Sequence, residues 1–336
     1  MFCWLLCLSA TVAAPPDRLD RFEATQPHMG TSFEIVCYAS TQDRAEKALQ
    51  AGFDRIAALD RVMSDYDPDS ELSKLSRSSP TESPVRISGD LFHVLTAANS
   101  LSHRTDGAFD VTVGPLTKLW RRARRRGEFP AADLLLEARA ATGYRNLKLD
   151  SAAMSAELLV PNMRLDLGGI AKGYAGDEAL RSMAALGVTR AIVNAGGDVV
   201  VGEAPPGETG WRIGVASLER DVPPSRFLRV ANGAVATSGD LWQFVEIDGV
   251  RYSHLLDPQT GLGLAAQNSV TIVARTGIAA DSLASAVSVL GLTAGLQFVE
   301  NTDATEALIL ARGDVGTQSH QSSGFGSLID RTSGTD

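Results

Sequence analysis

Asp166-Leu167-Gly168-Gly169-Ile170-Ala171-Lys172-Gly173-Tyr174 is the stretch around which the rest of this chain organises. The run before it, Leu158–Leu167 (LLVPNMRLDL), reads as a strand, and Ala171–Leu186 reads as a helix ending at Gly187. A strand that turns through glycines into a helix leaves backbone N–H groups and the positive helix end free, which suits a phosphate. Lys172 adds positive charge in the first helical turn, and Asp166 stands at the strand end, where a polar ligand group can be read. There is no GxxxxGK[ST] string, so a phosphate site and a plain tight turn both stay open.

Upstream, Phe33–Tyr38 is β-branched and loosely alternating, hence a strand. Gln42–Val62 carries Ala45, Ala48, Leu49, Phe53, Ile56 and Leu59 at helical spacing. Ser64–Pro84 is polar and Ser/Pro-rich, a loop with a short helix near Glu71–Leu75, and Leu91–Thr105 is helical. Gly107, Gly114 and Pro115 predict irregular chain over Gly107–Leu119, and the basic run Arg121–Arg126 reads as a solvated surface loop or as a clamp for an anionic partner. Downstream, Ala191–Asn194, Val199–Val201, Arg212–Ala216, Phe227–Val230, Phe244–Ile247 and Ser269–Ala274 read as strands between glycine turns. Ser282–Val299 has no charge, but its serines and glycines, with Leu283, Val287 and Leu290 at helical spacing, fit a helix packed on a sheet rather than a membrane span. Helices and strands in this order predict one two-lobed α+β unit over 21–330, with mixed or antiparallel sheets flanked by helices.

Composition narrows the class. The chain has 336 residues, 44% hydrophobic and 21% charged, with 31 Lys+Arg against 40 Asp+Glu, a net charge of −9. That balance excludes a broad nucleic-acid or anionic-membrane surface. Met1–Ala14 (MFCWLLCLSATVAA) is too short to span a bilayer but matches the apolar core of a secretory signal, so a signal peptide over 1–14 and a periplasmic protein are expected. A lipid on Cys7, anchoring the chain to the inner membrane, is the alternative, so membrane association is expected only through the N-terminus. Removal of the signal leaves Cys37 alone, which excludes an internal disulfide and a cysteine metal site.

Three further groups carry chemistry. Asp281 and Ser285, four apart on one helix, put a carboxylate and a hydroxyl on one face, hard oxygen donors suited to Mg²⁺; the plainer reading is that Asp281 caps its own helix. His254 stands at a strand end just before the turn Asp257-Pro258-Gln259-Thr260-Gly261, as a general base or as a structural histidine. Asn194–Asp198 and Thr237-Ser238-Gly239-Asp240 read as polar glycine turns that could wall a pocket.

Taken together and in order, the chain resembles the ApbE family of FAD:protein FMN transferases. The resemblance rests on Met29-Gly30-Thr31, Met63-Ser64-x-Tyr66-x-Pro68-x-Ser70-Glu71-Leu72, Gly107-Ala108-Phe109-Asp110-Val111-Thr112-x-Gly114-Pro115-Leu116, Asp166–Asp177, Asn194–Asp198, Ala236-Thr237-Ser238-Gly239, Tyr252–Gly261 and Asp281–Ser285. It implies transfer of FMN from FAD, the substrate, to a Thr or Ser hydroxyl of an electron-transfer or respiratory subunit, releasing AMP and needing Mg²⁺. By position, Met29, Tyr66, Ala108, Phe109, Asp110, Asp166, Lys172 and Leu255 would line the FAD site. Gly169, through its carbonyl, with Asp281 and Ser285 would hold the metal, and His254 would be the acid/base. The family often has Thr where Ser285 stands. Members that mainly hydrolyse FAD tend to have Asn in place of Tyr66, so the resemblance favours transfer over hydrolysis.

Overall fold

The computed structural model describes residues 18–219, 222–239, 243–313 and 316–331; the expected signal over 1–14 and Asp240 lie outside them. An eight-stranded sheet forms the centre, with strands in chain order β1 (Asp20–His28), β2 (Thr31–Ala39), β3 (Ala191–Ala195), β4 (Asp198–Val201), β5 (Gly233–Gly239), β6 (Asn268–Ala274), β7 (Glu306–Gly313) and β8 (Gly316–Gln321). Their spatial order is their chain order, and every neighbouring pair is antiparallel. The α+β expectation, resolved to an antiparallel sheet, matches this architecture.

Alternation along the strands gives the sheet two apolar faces. From β2, Phe33, Ile35 and Cys37 enter the main core, while Val36 enters the core on the other side. The main core is closed by α1 (Gln42–Met63), α2 (Glu71–Arg77), α3 (Gly89–Arg104), α6 (Ala171–Ala185) and α7 (Gly277–Glu300). The opposite face is covered by the two-stranded ribbon of Trp211–Gly214 with Phe227–Val230 and by a turn at Phe325–Leu328. α7 is long and apolar enough to cross a membrane, yet Leu283, Ala286 and Val287 are buried in the main core. Its axis bends at Gly291, whose φ of 76° lies in the left-handed region.

A smaller lobe holds α4 (Gly114–Arg126), α5 (Ala132–Ala140) and the hairpin of Phe244–Ile247 with Val250–Ser253, around Leu116, Trp120, Ala138 and Leu256. Trp120 packs on Tyr252 and donates its indole N–H to the carbonyl of Gly261, which ties α4 to the segment that carries His254.

Four local expectations change. Leu158–Leu167 is not a strand. The strand is Ser155–Leu158, and the chain then turns at Pro161-Asn162, where proline lacks a donor and Asn162 takes a φ of 64°. Gly114-Pro115 starts α4 rather than breaking structure, because proline suits a first helical turn, and the Arg121–Arg126 run becomes its last turns. Thr237-Ser238-Gly239 is the end of β5, paired to β6, not a turn. β1 goes beyond the expectations, its outward residues Arg21, Glu23 and Thr25 diluting the apolar signal.

Candidate active site

A cleft of about 990 Å³ opens between the sheet end and the smaller lobe. That lies at the upper end of small-molecule sites and leaves room for a dinucleotide. All twelve site residues expected from the sequence line it.

Its floor is made by two hairpin tips. Met29 and Gly30, with φ of 48° and 73°, form the two-residue turn joining β1 to β2, the paired left-handed geometry that a tight hairpin favours. Met29 donates its N–H to the carboxylate of Asp60 at 2.9 Å, which pins the turn to α1. Gly196 and Gly197 form the matching turn between β3 and β4, and a Cβ on Gly196 would lie 2.2 Å from Thr31 Oγ1, so the tips touch.

The inner wall is where α6 meets α7. Their backbones touch: a Cβ on Gly173 would lie 2.0 Å from the carbonyl oxygen of Gly277. Each helix caps the other. Asp177 on α6 accepts from the backbone N–H of Gly277 and Ile278 at 2.7 and 2.9 Å, and Asp281 on α7 accepts from Gly173 N–H at 3.0 Å. Asp281 therefore does not cap its own helix, the plainer sequence expectation; it sits inside α7 and caps the N-terminus of α6, where Ile170 at the N-cap position makes no side-chain bond. Burial, reinforced by the nearby Asp198 carboxylate, pushes the Asp281 carboxyl up to about 6, with Lys172 opposing.

Lys172 Nζ bridges Asp198 Oδ2 at 2.6 Å and Asp281 Oδ1 at 3.3 Å, and lies 3.4 Å from the Gly168 carbonyl. Burial works against its charge, but Asp281 and Asp198 outweigh it and hold its pKa above the usual lysine value. The sequence reading gave Lys172 to the pyrophosphate. Here two carboxylates already balance it.

Oxygen donors converge beside it. A Cβ on Gly169 would fall 2.7 Å from Ser285 Oγ, so the glycine turn and the hydroxyl occupy one spot, one helical turn from Asp281. Among the described residues no group of three or more His, Cys, Asp or Glu side chains could hold a metal. One carboxylate, one hydroxyl and a backbone carbonyl make a hard, sparse set that does not fit zinc. It fits a cation that keeps water and takes substrate phosphate oxygens. The ammonium of Lys172 also shows that this corner holds positive charge.

On the opposite side, His254 follows the Val250–Ser253 strand. Its backbone N–H and its Nδ1 both reach the carbonyl of Gln243, at 2.9 and 3.1 Å. A carbonyl only accepts, so the proton is assigned to Nδ1 and Nε2 is the basic nitrogen. Leu255 follows, its N–H bonded to Ser253 Oγ. Ala108 and Phe109 line the cleft from the loop after α3. Asp110 differs from expectation in its side chain, since both carboxylate oxygens are used inside the protein, on the N–H and hydroxyl of Thr112 and the N–H of Tyr144. It shapes the wall. Burial raises its pKa against those bonds.

The sequence gives no role to Asp60, Asp65 and Gln243, and offers Arg121 only as part of a basic run, yet all four line the cleft. For Arg121 a signal existed: a helix started by Gly114-Pro115 puts it one turn beyond Thr117, on the same face.

Comparison with known proteins agrees with this fold. A sequence model described as the ApbE family matches residues 29–309. The FAD:protein FMN transferase of Vibrio cholerae serotype O1 is 30% identical over 329 residues, covering 96% of this chain and 97% of that protein. That of Haemophilus influenzae is 30% identical over 317 residues, covering 90% of each. The solved ApbE protein of Thermotoga maritima superposes with a TM-score of 0.82 at 31% identity, covering 92% of this chain and 99% of its own. The flavin transferase ApbE of Vibrio cholerae gives a TM-score of 0.82 at 28% identity, with the same coverage. From its matched segments, its cleft and these likenesses, the chain belongs to the ApbE family.

Proposed function

We propose that this chain is a flavin transferase that moves FMN from FAD to a Thr or Ser hydroxyl of an acceptor protein and releases AMP. The observation that carries the reading is the inner wall. The N-terminus of α6, the buried carboxylate that caps it, a hydroxyl and a lysine meet at one end of a dinucleotide-sized cleft that His254 also lines.

Asp281, Ser285 and the Gly169 carbonyl would hold Mg²⁺, which when bound draws charge from pyrophosphate oxygens and eases departure of AMP. The chain's own residues do the rest. Lys172 keeps Asp281 and Asp198 compensated, and the N-terminus of α6 adds positive potential. His254, fixed by Gln243, takes the acceptor hydroxyl's proton on Nε2 as the oxygen attacks phosphorus. Met29, Tyr66, Ala108, Phe109, Asp110, Asp166 and Leu255 wall the dinucleotide, and Tyr66 keeps water from competing with the acceptor. The apolar run Met1–Ala14 supports export, which would put the reaction in the periplasm, on an electron-transfer or respiratory subunit.

The test is incubation with FAD and Mg²⁺, with and without candidate acceptors, following AMP by chromatography. AMP that appears only with an acceptor is expected, and Asp281→Ala should abolish it. AMP and free FMN formed equally without acceptor would make the chain an FAD pyrophosphatase. Intact FAD throughout would leave only a flavin-binding protein.

A further inference from the structure

Arg121 is the residue that composition most easily hides, the first arginine of a basic run. On α4 its guanidinium turns into the cleft and meets three groups from two other segments. Nη1 donates to Asp65 Oδ2 at 2.5 Å, Nη2 donates to Asp166 Oδ2 at 3.1 Å, and Cζ lies 4.4 Å from the centre of the Tyr66 ring. Asp65 is also tethered through its carbonyl, which accepts from Arg164 at 2.9 Å. Burial opposes the Arg121 charge, but Asp166 and Asp65 outweigh it, so the guanidinium stays ionised.

Tyr66 needs such a partner. The residue is 75% exposed, on the loop between α1 and α2, and its backbone N–H makes only a long 3.3 Å bond to Ser64 Oγ. No aromatic ring packs on it among the described residues. A tyrosine this open would sample several rotamers, and a stacking surface that moves binds weakly because ordering it costs entropy. The planar guanidinium covers one face and is itself held by two carboxylates, so it fixes the ring and leaves the second face for another flat group.

We propose that Arg121 is a positioning residue that acts through Tyr66, holding that ring at the cleft mouth as a stacking platform for a planar ring of the dinucleotide. The proposal rests on the flavin-transferase reading. Arg121 has a second effect on the same ligand: by pairing Asp65 and Asp166 it removes like charge from the path of an anionic pyrophosphate.

The test is a double-mutant cycle on FAD affinity, read by the change in flavin fluorescence as FAD is titrated into the full-length protein with Mg²⁺. Arg121→Ala and Tyr66→Leu should each weaken FAD roughly tenfold, the scale of one ring contact. Combined, they should lose less than about twice the worse single variant, because one acts through the other. Arg121→Lys, which keeps the charge but not the planar fork, should recover the charge-dependent part of the affinity and not the Tyr66 coupling. Thermal melting screens for folding. If Arg121→Ala does not fold, Arg121→Gln, which keeps a donor toward Asp65, takes its place in the cycle. Affinity within twofold of the unmodified protein, or two losses that simply multiply, would overturn the proposal. Unmodified protein that does not bind FAD would instead sink the flavin reading itself.

Discussion

Two clusters in the cleft share one charge plan, a single basic side chain between two carboxylates. Deep in the wall Lys172 pairs Asp198 and Asp281; at the mouth Arg121 pairs Asp65 and Asp166. Exposure does not separate them, since the lysine side chain is 25% exposed and the arginine 24%. What separates them is what fixes the parts. The inner three lie on α6, β4 and α7, locked by the glycine contact between helices and by the Gly173 N–H bond to Asp281. At the mouth only Arg121 lies on a regular element, and Asp65, Tyr66 and Asp166 come from loops. The inner cluster is set before any ligand arrives, as a site of chemistry must be. The outer one joins separate segments and governs what enters.

The largest difference should appear on deleting each cation. Lys172→Ala leaves two buried carboxylates facing each other and should cost about 3–5 kcal/mol of stability along with all turnover. Arg121→Ala should cost less, about 1–2 kcal/mol, because Asp65 and Asp166, although about as buried as Asp198, lie on loops that can move apart. Denaturant unfolding measures both, and equal losses would erase the contrast. Next, Gly173→Ala forces a methyl against the Gly277 carbonyl and should cost about 1–3 kcal/mol while displacing Asp281, with activity falling further than stability predicts. A Gly173→Ala protein as active as the original would show that the helix contact does not set the site.

His254→Ala tests the chemistry apart from the scaffold. Transfer rate should fall about 10²–10⁴-fold while FAD affinity holds within a few-fold, because His254 is assigned to the proton and not to the dinucleotide. Equal losses in both would move it to binding. The smallest effect concerns pH. In chelated protein Asp281 titrates at about 6 against an ordinary 3.8, so it binds its proton more tightly folded than unfolded. Its contribution to stability is therefore fully present below 3.8 and is lost as pH rises through about 6. Asp281→Asn should flatten the stability profile across that window, and a profile unchanged by the substitution would contradict the assignment.

How much of this was legible in the sequence follows the same division. Elements with a period announced themselves: the Phe33–Tyr38 strand lies inside β2, and Gln42–Val62 is α1 short by one residue. The site segments were legible because each carries glycines and polar groups at turns the fold needs, as at Met29-Gly30 and Gly196-Gly197. What stayed hidden was which segment meets which. Nothing within Asp281–Ser285 says that Asp281 will cap α6, because that depends on Gly173 letting two helices touch. Arg121 was hidden by four arginine neighbours in composition and by a helix start that looked like a break. Leu158–Leu167 misled in the other direction, its apolar content outweighing Pro161-Asn162, where the chain turns.

The central claim is that this cleft makes a covalent flavin–protein bond. Intact-mass spectrometry of an acceptor protein incubated with the chain, FAD and Mg²⁺ tests it most directly. An acceptor heavier by one esterified FMN is expected, with the adduct on a Thr or Ser and absent when Asp281→Ala protein is used. An acceptor of unchanged mass beside free FMN would contradict it.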